Sequence, residues 1–153
     1  MKLTSTFAWL DSWTEVEEGV PFGTIEALIQ DPTTDRCGPD GCYLVSDSGN
    51  DTVYAFNPIG GLVWTVGGPG SEEGQFDDPV QLHLALNSTE VYDLFVADAG
   101  NNRVQKLDAE GNVLVVIDTS GAGLTAPTGV TTTSDGRVFV ADPSTGRIAI
   151  YGP

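Results

Sequence analysis

Positive charge is what this 153-residue chain has least of: six lysines and arginines stand against 22 aspartates and glutamates, for a net charge of −16. Proteins that hold nucleic acid need a cationic footprint to displace phosphate counterions, so the balance argues against nucleic acid as a partner. No apolar run approaches the ~20 residues that cross a bilayer as a helix, and no membrane association is expected. The first residues, MKLTSTFAWLDSW, carry a single lysine, a broken apolar run and Asp11, which is not the pattern of a signal peptide. There is one histidine, His83, and there are two cysteines. One histidine falls short of the three protein ligands usual for catalytic zinc, and no Ser–His–Asp or Cys–His pair can be nominated. No cofactor is expected, and the chain leans away from being an enzyme.

The two cysteines, Cys37 and Cys42, bracket a Gly-Pro-Asp-Gly turn in RCGPDGCYL. A turn there brings their Cα atoms near the 4.4–6.8 Å that a disulfide needs. This reads as a local disulfide and an extracellular or otherwise oxidising compartment, with two free cytosolic thiols as the alternative. Asn50-Asp51-Thr52 and Asn87-Ser88-Thr89 match the glycosylation acceptor pattern, which matters only in a glycosylating host. With 40% hydrophobic residues, residues 1–153 are expected to make one domain with a real core.

A phrase recurs three times: YLVSDSGNDTV (43–53), LFVADAGNNRV (94–104) and VFVADPSTGRI (138–148). Each is an alternating apolar run, an aspartate in a turn of small residues, and a second alternating run. The aspartates are Asp47, Asp98 and Asp142, so the spacings are 51 and 44 residues. That period, with several strands per repeat, predicts an all-β chain, a β-propeller of four-stranded antiparallel blades. Blade one takes 24–67, with strands at 24–30, 42–47, 52–57 and 62–67. Blade two takes 80–118, with strands at 80–87, 91–98, 103–108 and 113–118. Blade three takes 129–152, with strands at 129–134, 137–142 and 147–152. It lacks an outer strand, while LTSTFAWLD (3–11) alternates like the outer strands LVWTVG and VLVVID. The order is permuted: outer strand first, then inner to third.

GSEEGQFDDPVQLHLALN, LFVADAGNNRVQKLDAEGNVL and LTAPTGV…GRVFVADPSTGRI resemble NHL repeats, whose pattern is a Gly-rich lead, Phe-x-x-Pro, an inner strand, then Val-Ala-Asp-x-x-Asn-x-Arg-Val. The resemblance covers about residues 20–150 and departs from the pattern at Thr52, in place of arginine, and at Thr145, in place of asparagine. It implies a propeller commonly of six blades, and six is twice three. Repeat arrays need capping or closure to cover their end faces. The expected partner is therefore the chain itself. A two-fold homodimer would close one six-bladed ring, and Phe7 and Trp9 of each chain would lie against Arg147, Ile148 and Ile150 of the other. An open strand-exchanged filament and a fragment of a longer propeller are the alternatives.

The recurring Asp47, Asp98 and Asp142 are expected to be structural, accepting backbone N–H groups in their turns and orienting Arg103 and Arg147 five residues on. His83 is expected to be a satisfied core or channel-lining group. Asp31, Asp35 and Asp40 cluster in one loop and are weak calcium candidates, without the spacing of an EF-hand loop. Glu15, Glu17, Glu18, Glu72, Glu73, Asp77 and Asp78 lie in the two outer-to-inner connections, giving an acidic rim that serves solubility or docks a cationic protein. Trp9, Trp13 and Trp64 are expected to pack between outer strands. The function expected is a non-catalytic structural or interaction module that self-assembles. The alternatives are an extracellular propeller lyase or hydrolase using metal-assisted chemistry, and a ligand-binding propeller.

Overall fold

A computed structural model describes residues 12–17, 19–32, 37–38 and 40–153. The candidate outer strand at 3–11, with Phe7 and Trp9, lies outside the described residues, as do Glu18 and Asp35. The described chain is almost wholly β. A two-stranded ribbon, β1 (Glu15–Glu17) with β2 (Val20–Pro21), comes first. Blade one is the sheet β3 (Ile25–Asp31), β4 (Cys42–Asp47), β5 (Thr52–Phe56) and β6 (Leu62–Gly67). Blade two is β7 (Pro79–Leu86), β8 (Tyr92–Asp98), β9 (Arg103–Leu107) and β10 (Val113–Asp118). Blade three is the three-stranded β11 (Gly129–Thr132), β12 (Val138–Asp142) and β13 (Arg147–Tyr151). All these pairings are antiparallel.

The alternation along β8 shows why the middle strands read as continuous apolar runs. Leu94 and Val96 point into a cluster with Leu44, Val53, Ala55, Leu82 and Leu107, which is the joint between blades one and two. Phe95 and Ala97 point the other way, into a cluster with Val104, Leu124, Val130, Val138 and Val140 between blades two and three. A strand buried on both faces needs apolar residues at every position rather than every second one. Full burial of a valine or leucine contributes about 1.5–3 kcal/mol, so these joints carry much of the stability.

Hydrogen bonds to the inner strand β7 also clip adjacent blades together. The Ser46 hydroxyl donates to the Val80 carbonyl across 2.7 Å, and the Val130 N–H donates to Gln81 Oε1 across 2.7 Å. Three turns on the rim opposite the recurring aspartates share one device: an Asx side chain accepts two N–H groups in its own turn. Asn57 accepts from Ile59 and Gly61, Asn87 from Thr89 and Val91, and Asp108 from Glu110 and Asn112.

The N-terminal lead differs from a plain connection. Beyond forming the β1–β2 ribbon, it lays an aromatic cap on the side of blade one that faces away from blade two. Trp13 packs on Tyr43 and Phe56 with centroids 6.2 and 5.6 Å apart, and Phe22 packs on Tyr54 and Phe56 at 6.1 and 5.7 Å. Val16 and Val45 complete this third cluster.

Candidate functional site

The three recurring aspartates are buried at the ends of β4, β8 and β12. Asp47 accepts the N–H groups of Gly23 and Thr24, each at 2.8 Å, of Gly49 at 3.1 Å, and Nδ2 of Asn50 at 2.9 Å. Asp98 accepts the Asp77 N–H at 2.8 Å and Nε of Arg103 at 2.7 Å. Asp142 accepts the N–H groups of Thr125, Ala126, Ser144 and Thr145 at 2.6, 3.1, 2.8 and 3.2 Å, and the Ser144 hydroxyl. Burial opposes ionisation of Asp142, but the Ser144 hydroxyl and these backbone donors outweigh it and hold the carboxyl well below the ordinary carboxylate range. In every blade the aspartate therefore ties its own turn to the lead that enters the blade.

Arg147 departs from the expectation that it would be oriented by Asp142. It is exposed and forms neither a hydrogen bond nor an ion pair with that carboxylate, whose two oxygens take Ser144 and the backbone donors. Arg103, by contrast, spends its remaining guanidinium donors on the carbonyls of Ser71, Glu72 and Gln75, at 2.7–2.9 Å.

His83 is half-buried on β7 and faces blade three. Its Nε2 accepts the Thr132 N–H at 3.2 Å and lies 3.0 Å from the Thr132 hydroxyl. Acceptance at Nε2 places the ring proton on Nδ1, and burial pushes the imidazole pKa down. His83 lines a cleft of about 570 Å³ with Asn87, Asp93, Phe95, Lys106 and Ser134. Lys106 pairs with Asp93 at 2.8 Å and sits 5.6 Å from the Phe95 ring centroid.

Cys37 and Cys42 are joined by a disulfide with Cα atoms 5.1 Å apart. Both are buried in the joint between blades one and two. Asp31 is buried beside this loop, opposite Cys42 in the β3–β4 register, and Asp40 is exposed with its carbonyl accepting Nε2 of Gln30. Among the described residues no three His, Cys, Asp or Glu side chains are grouped closely enough to hold a metal ion. The side-chain nitrogens of Asn50 and Asn87, the two glycosylation candidates, donate to Asp47 and Asp93.

Glu15, Glu17, Glu72, Glu73, Asp77 and Asp78 are exposed along the leads. Burial, followed by the nearby charges of Glu26, Asp77 and Asp51, raises the Asp78 pKa despite a hydrogen bond from Ser48. Trp64 lies half-buried at the joint with blade two, where its ring covers Gly111.

The repeat pattern predicts uncovered end faces and puts Ile148 and Ile150 at one of them; it does not single out Leu28 at the other. Counting from the recurring aspartate, Val53, Val104 and Ile148 are the same position. The inner-strand partners of the valines two residues before each aspartate, namely Leu28, Leu82 and Val130, are likewise one position. Val53 and Val104 are each 0% exposed, but Ile148 is 70% exposed. Leu82 is 4% and Val130 3% exposed, but Leu28 is 61% exposed. Among the described residues blade three thus presents one bare face, and blade one a face left bare at its inner strand, beside the aromatic cap of Trp13 and Phe22. The periodic pattern of the sequence carried this signal; which copy of each position lacked a neighbour depended on blade order.

No family model matches the chain. The chain is 32% identical over 111 residues to NHL repeat-containing protein 3 of Homo sapiens, a match that covers 65% of this chain and 31% of that protein. It is 33% identical over 109 residues to the protein of the same name from Mus musculus, with the same coverage of 65% and 31%. The chain therefore spans about a third of the length of these curated relatives. Among solved structures it is similar to BBS1N, crystallised in complex with ARL6DN, with a TM-score of 0.60 and 11% identity, covering 88% of this chain and 46% of that one. Likeness at that identity carries the β-propeller fold and nothing further.

Proposed function

We propose that this chain, which belongs to the NHL-repeat family of β-propellers, is an interaction module that assembles with its own copies by exchanging the N-terminal strand, working in an oxidising, extracellular setting. The observation that carries the reading is the edge of blade three. Among the described residues β13 pairs only with β12, whereas the equivalent β5 and β9 are each covered by a fourth strand. An apolar edge of this kind invites another strand. The buried disulfide is compatible with an oxidising compartment.

The register of the other two blades supports residues 3–11 as the missing strand. In blade one Gly67 stands opposite Thr52, and in blade two Asp118 stands opposite Arg103. Leu10-Asp11-Ser12 repeats the character of Ile117-Asp118-Thr119, and strand exchange in that register would set Asp11 opposite Arg147. In this reading the strand comes from a second copy. Trp13 of the same chain sits on the far side of blade one, against Tyr43 and Phe56, while β13 lies two blades away. Packed sheets are about 10 Å apart, and the two peptide links from Asp11 to Trp13 reach about 7 Å. Two such exchanges close a six-bladed ring; exchange that does not return on itself gives a filament.

Deleting residues 1–11 tests the reading. The truncated chain is expected to lose association in light scattering and to become less soluble. Association equal to that of the intact chain would end the strand-exchange proposal.

A further inference from the structure

The two bare faces described above are the two halves of one joint. Val53 of blade one shares a buried cluster with Leu82 of blade two, and Val104 of blade two shares the next cluster with Val130 of blade three. The same construction is therefore used twice inside the chain: third-strand residue of one blade, inner-strand residue of the next. Its third instance is split, with Ile148 at one end of the molecule and Leu28 at the other. The lead residues follow suit. Phe76 and Leu124 are buried in the first and second joints, and the equivalent Phe22 lies on the bare side of blade one, beside a cleft of about 430 Å³ that Ile25, Leu28, Tyr43 and Val45 also line. On blade three, Phe139, Ala141 and Ile148 line the matching shallow groove.

We infer that the face of blade three in one copy seats on the face of blade one in a second copy, head to tail, with Ile148 entering the cluster of Phe22, Leu28, Tyr43 and Val45. The occupant is a second copy because each copy carries the half that the other lacks, at the same repeat positions that already mate twice within the chain. The inference rests on the self-assembly proposed above and deepens it. Strand exchange concerns the edge of β13, whereas this contact concerns the faces of the sheets, and either can fail without the other. The contact is heterologous, so neither face pairs with itself.

Complementation of single variants tests it. Leu28→Glu spoils only the receiving face and Ile148→Glu only the inserting face. Both positions are exposed, so each variant is expected to keep the wild-type unfolding midpoint. Alone, each variant has every contact in a closed pair spoiled by a buried, unpaired carboxylate, and self-association is expected to weaken about 100-fold or more. Mixed in equal amounts, the intact blade-three face of Leu28→Glu meets the intact blade-one face of Ile148→Glu. A 1:1 complex of twice the monomer mass is expected. Should either variant fail to fold, Ile25→Glu and Ile150→Glu replace them on the same faces.

A variant that self-associates as well as wild type overturns the head-to-tail pairing, because its face is then unneeded or pairs with itself. A mixture that stays monomeric where wild type associates overturns it too. A wild-type chain that is monomeric at all concentrations removes both this contact and the strand exchange. Association that survives deletion of residues 1–11 but is lost in both single variants leaves the face contact standing and removes the exchange alone.

Discussion

Arg103 donates Nε to Asp98 Oδ2 across 2.7 Å, and the two side chains are only 10% and 0% exposed. The rest of the guanidinium holds the carbonyls of Ser71, Glu72 and Gln75. One side chain thus fixes the turn of blade two and the long acidic lead entering it. The other two blades hold the aspartate at this point without such an ion pair. Blade one has Thr52 there, whose hydroxyl donates to the Asn50 carbonyl, and Asn50 itself donates to Asp47. Blade three has Ser144, which closes on Asp142 from within the turn.

Removing the carboxylate from the charged version should cost most. Asp98→Ala leaves a buried guanidinium without its counter-charge and is expected to destabilise by about 3–5 kcal/mol. Asp47→Ala loses neutral donors only, some of them exposed, and is expected to cost less. Urea unfolding of the two variants compares them, and equal losses would mean that the Arg103 charge is compensated by its carbonyl partners alone.

Asp142 gives a pH dependence of known sign. Its carboxyl ionises well below the ordinary value in the folded chain, so the folded state binds fewer protons than the unfolded state across acidic pH. The stabilisation is fully present above the unfolded value of about 3.9 and is lost as pH falls toward the folded one. Asp142→Asn should accordingly be less stable than wild type at pH 7, with the gap closing below about pH 4. A gap that is constant from pH 7 to pH 3 would contradict the hydrogen-bonding account.

The disulfide should act chiefly on the unfolded chain. Cys37 and Cys42 close a short loop, for which the chain-entropy relation gives about 2 kcal/mol. Alkylation under non-reducing, denaturing conditions is expected to label neither thiol. Reduction, or the double change to serine, should lower stability by about that amount without unfolding the joint between blades one and two. Two labelled thiols per chain would remove both the bond and the argument for an oxidising compartment.

Much of this fold was legible because both of its periodicities are local. Alternation placed the strands, and β4, β6 and β10 begin and end where the apolar runs do. Other strands differ at one or both ends by one or two residues, as β3 and β7 do by shifting one residue and β11 by stopping at Thr132, where the turn at Thr133–Gly136 takes over. The β1–β2 ribbon was not legible, since Glu-Val-Glu and Val-Pro are too short to show a period and gain their order from packing on Tyr54 and Phe56. The aspartate turns could be read as structural from recurrence. Their different partners could not, because Arg103 is held by carbonyls of the blade-two lead, whereas Arg147 at the same repeat position is exposed. The exposure of Ile148 could be read from the uncovered end of the array, but that of Leu28 could not: identical repeat positions differ only in having a neighbour.

His83 should stay neutral through the physiological range. Its pKa is lowered by burial, so the folded state favours the unprotonated ring, and stability linked to it is present above about 6.5 and lost as pH falls through the folded value. Protonation also removes the acceptor for the Thr132 N–H, loosening the joint between β7 and β11. Nitrogen NMR is expected to show the Nδ1–H tautomer titrating below the free-imidazole value. An Nε2–H tautomer, or a midpoint above 6.5, would be incompatible with this geometry.

Salt should strengthen self-association. Each copy carries a net charge of −16, so bringing two together works against long-range repulsion. The proposed contact is apolar, built around the exposed Ile148 and Leu28. Raising ionic strength from about 0.1 M to 1 M shortens the screening length from about 10 Å to about 3 Å, which removes repulsion and leaves apolar burial untouched. The dissociation constant, followed by analytical ultracentrifugation, is therefore expected to fall as sodium chloride rises. Calcium at matched ionic strength should do no more than magnesium. An excess effect of calcium would instead point to the loop bearing Asp31 and Asp40. Association that weakens with salt would mean that opposite charges hold the copies together, and the acidic leads rather than the sheet faces would then be the surface to explain.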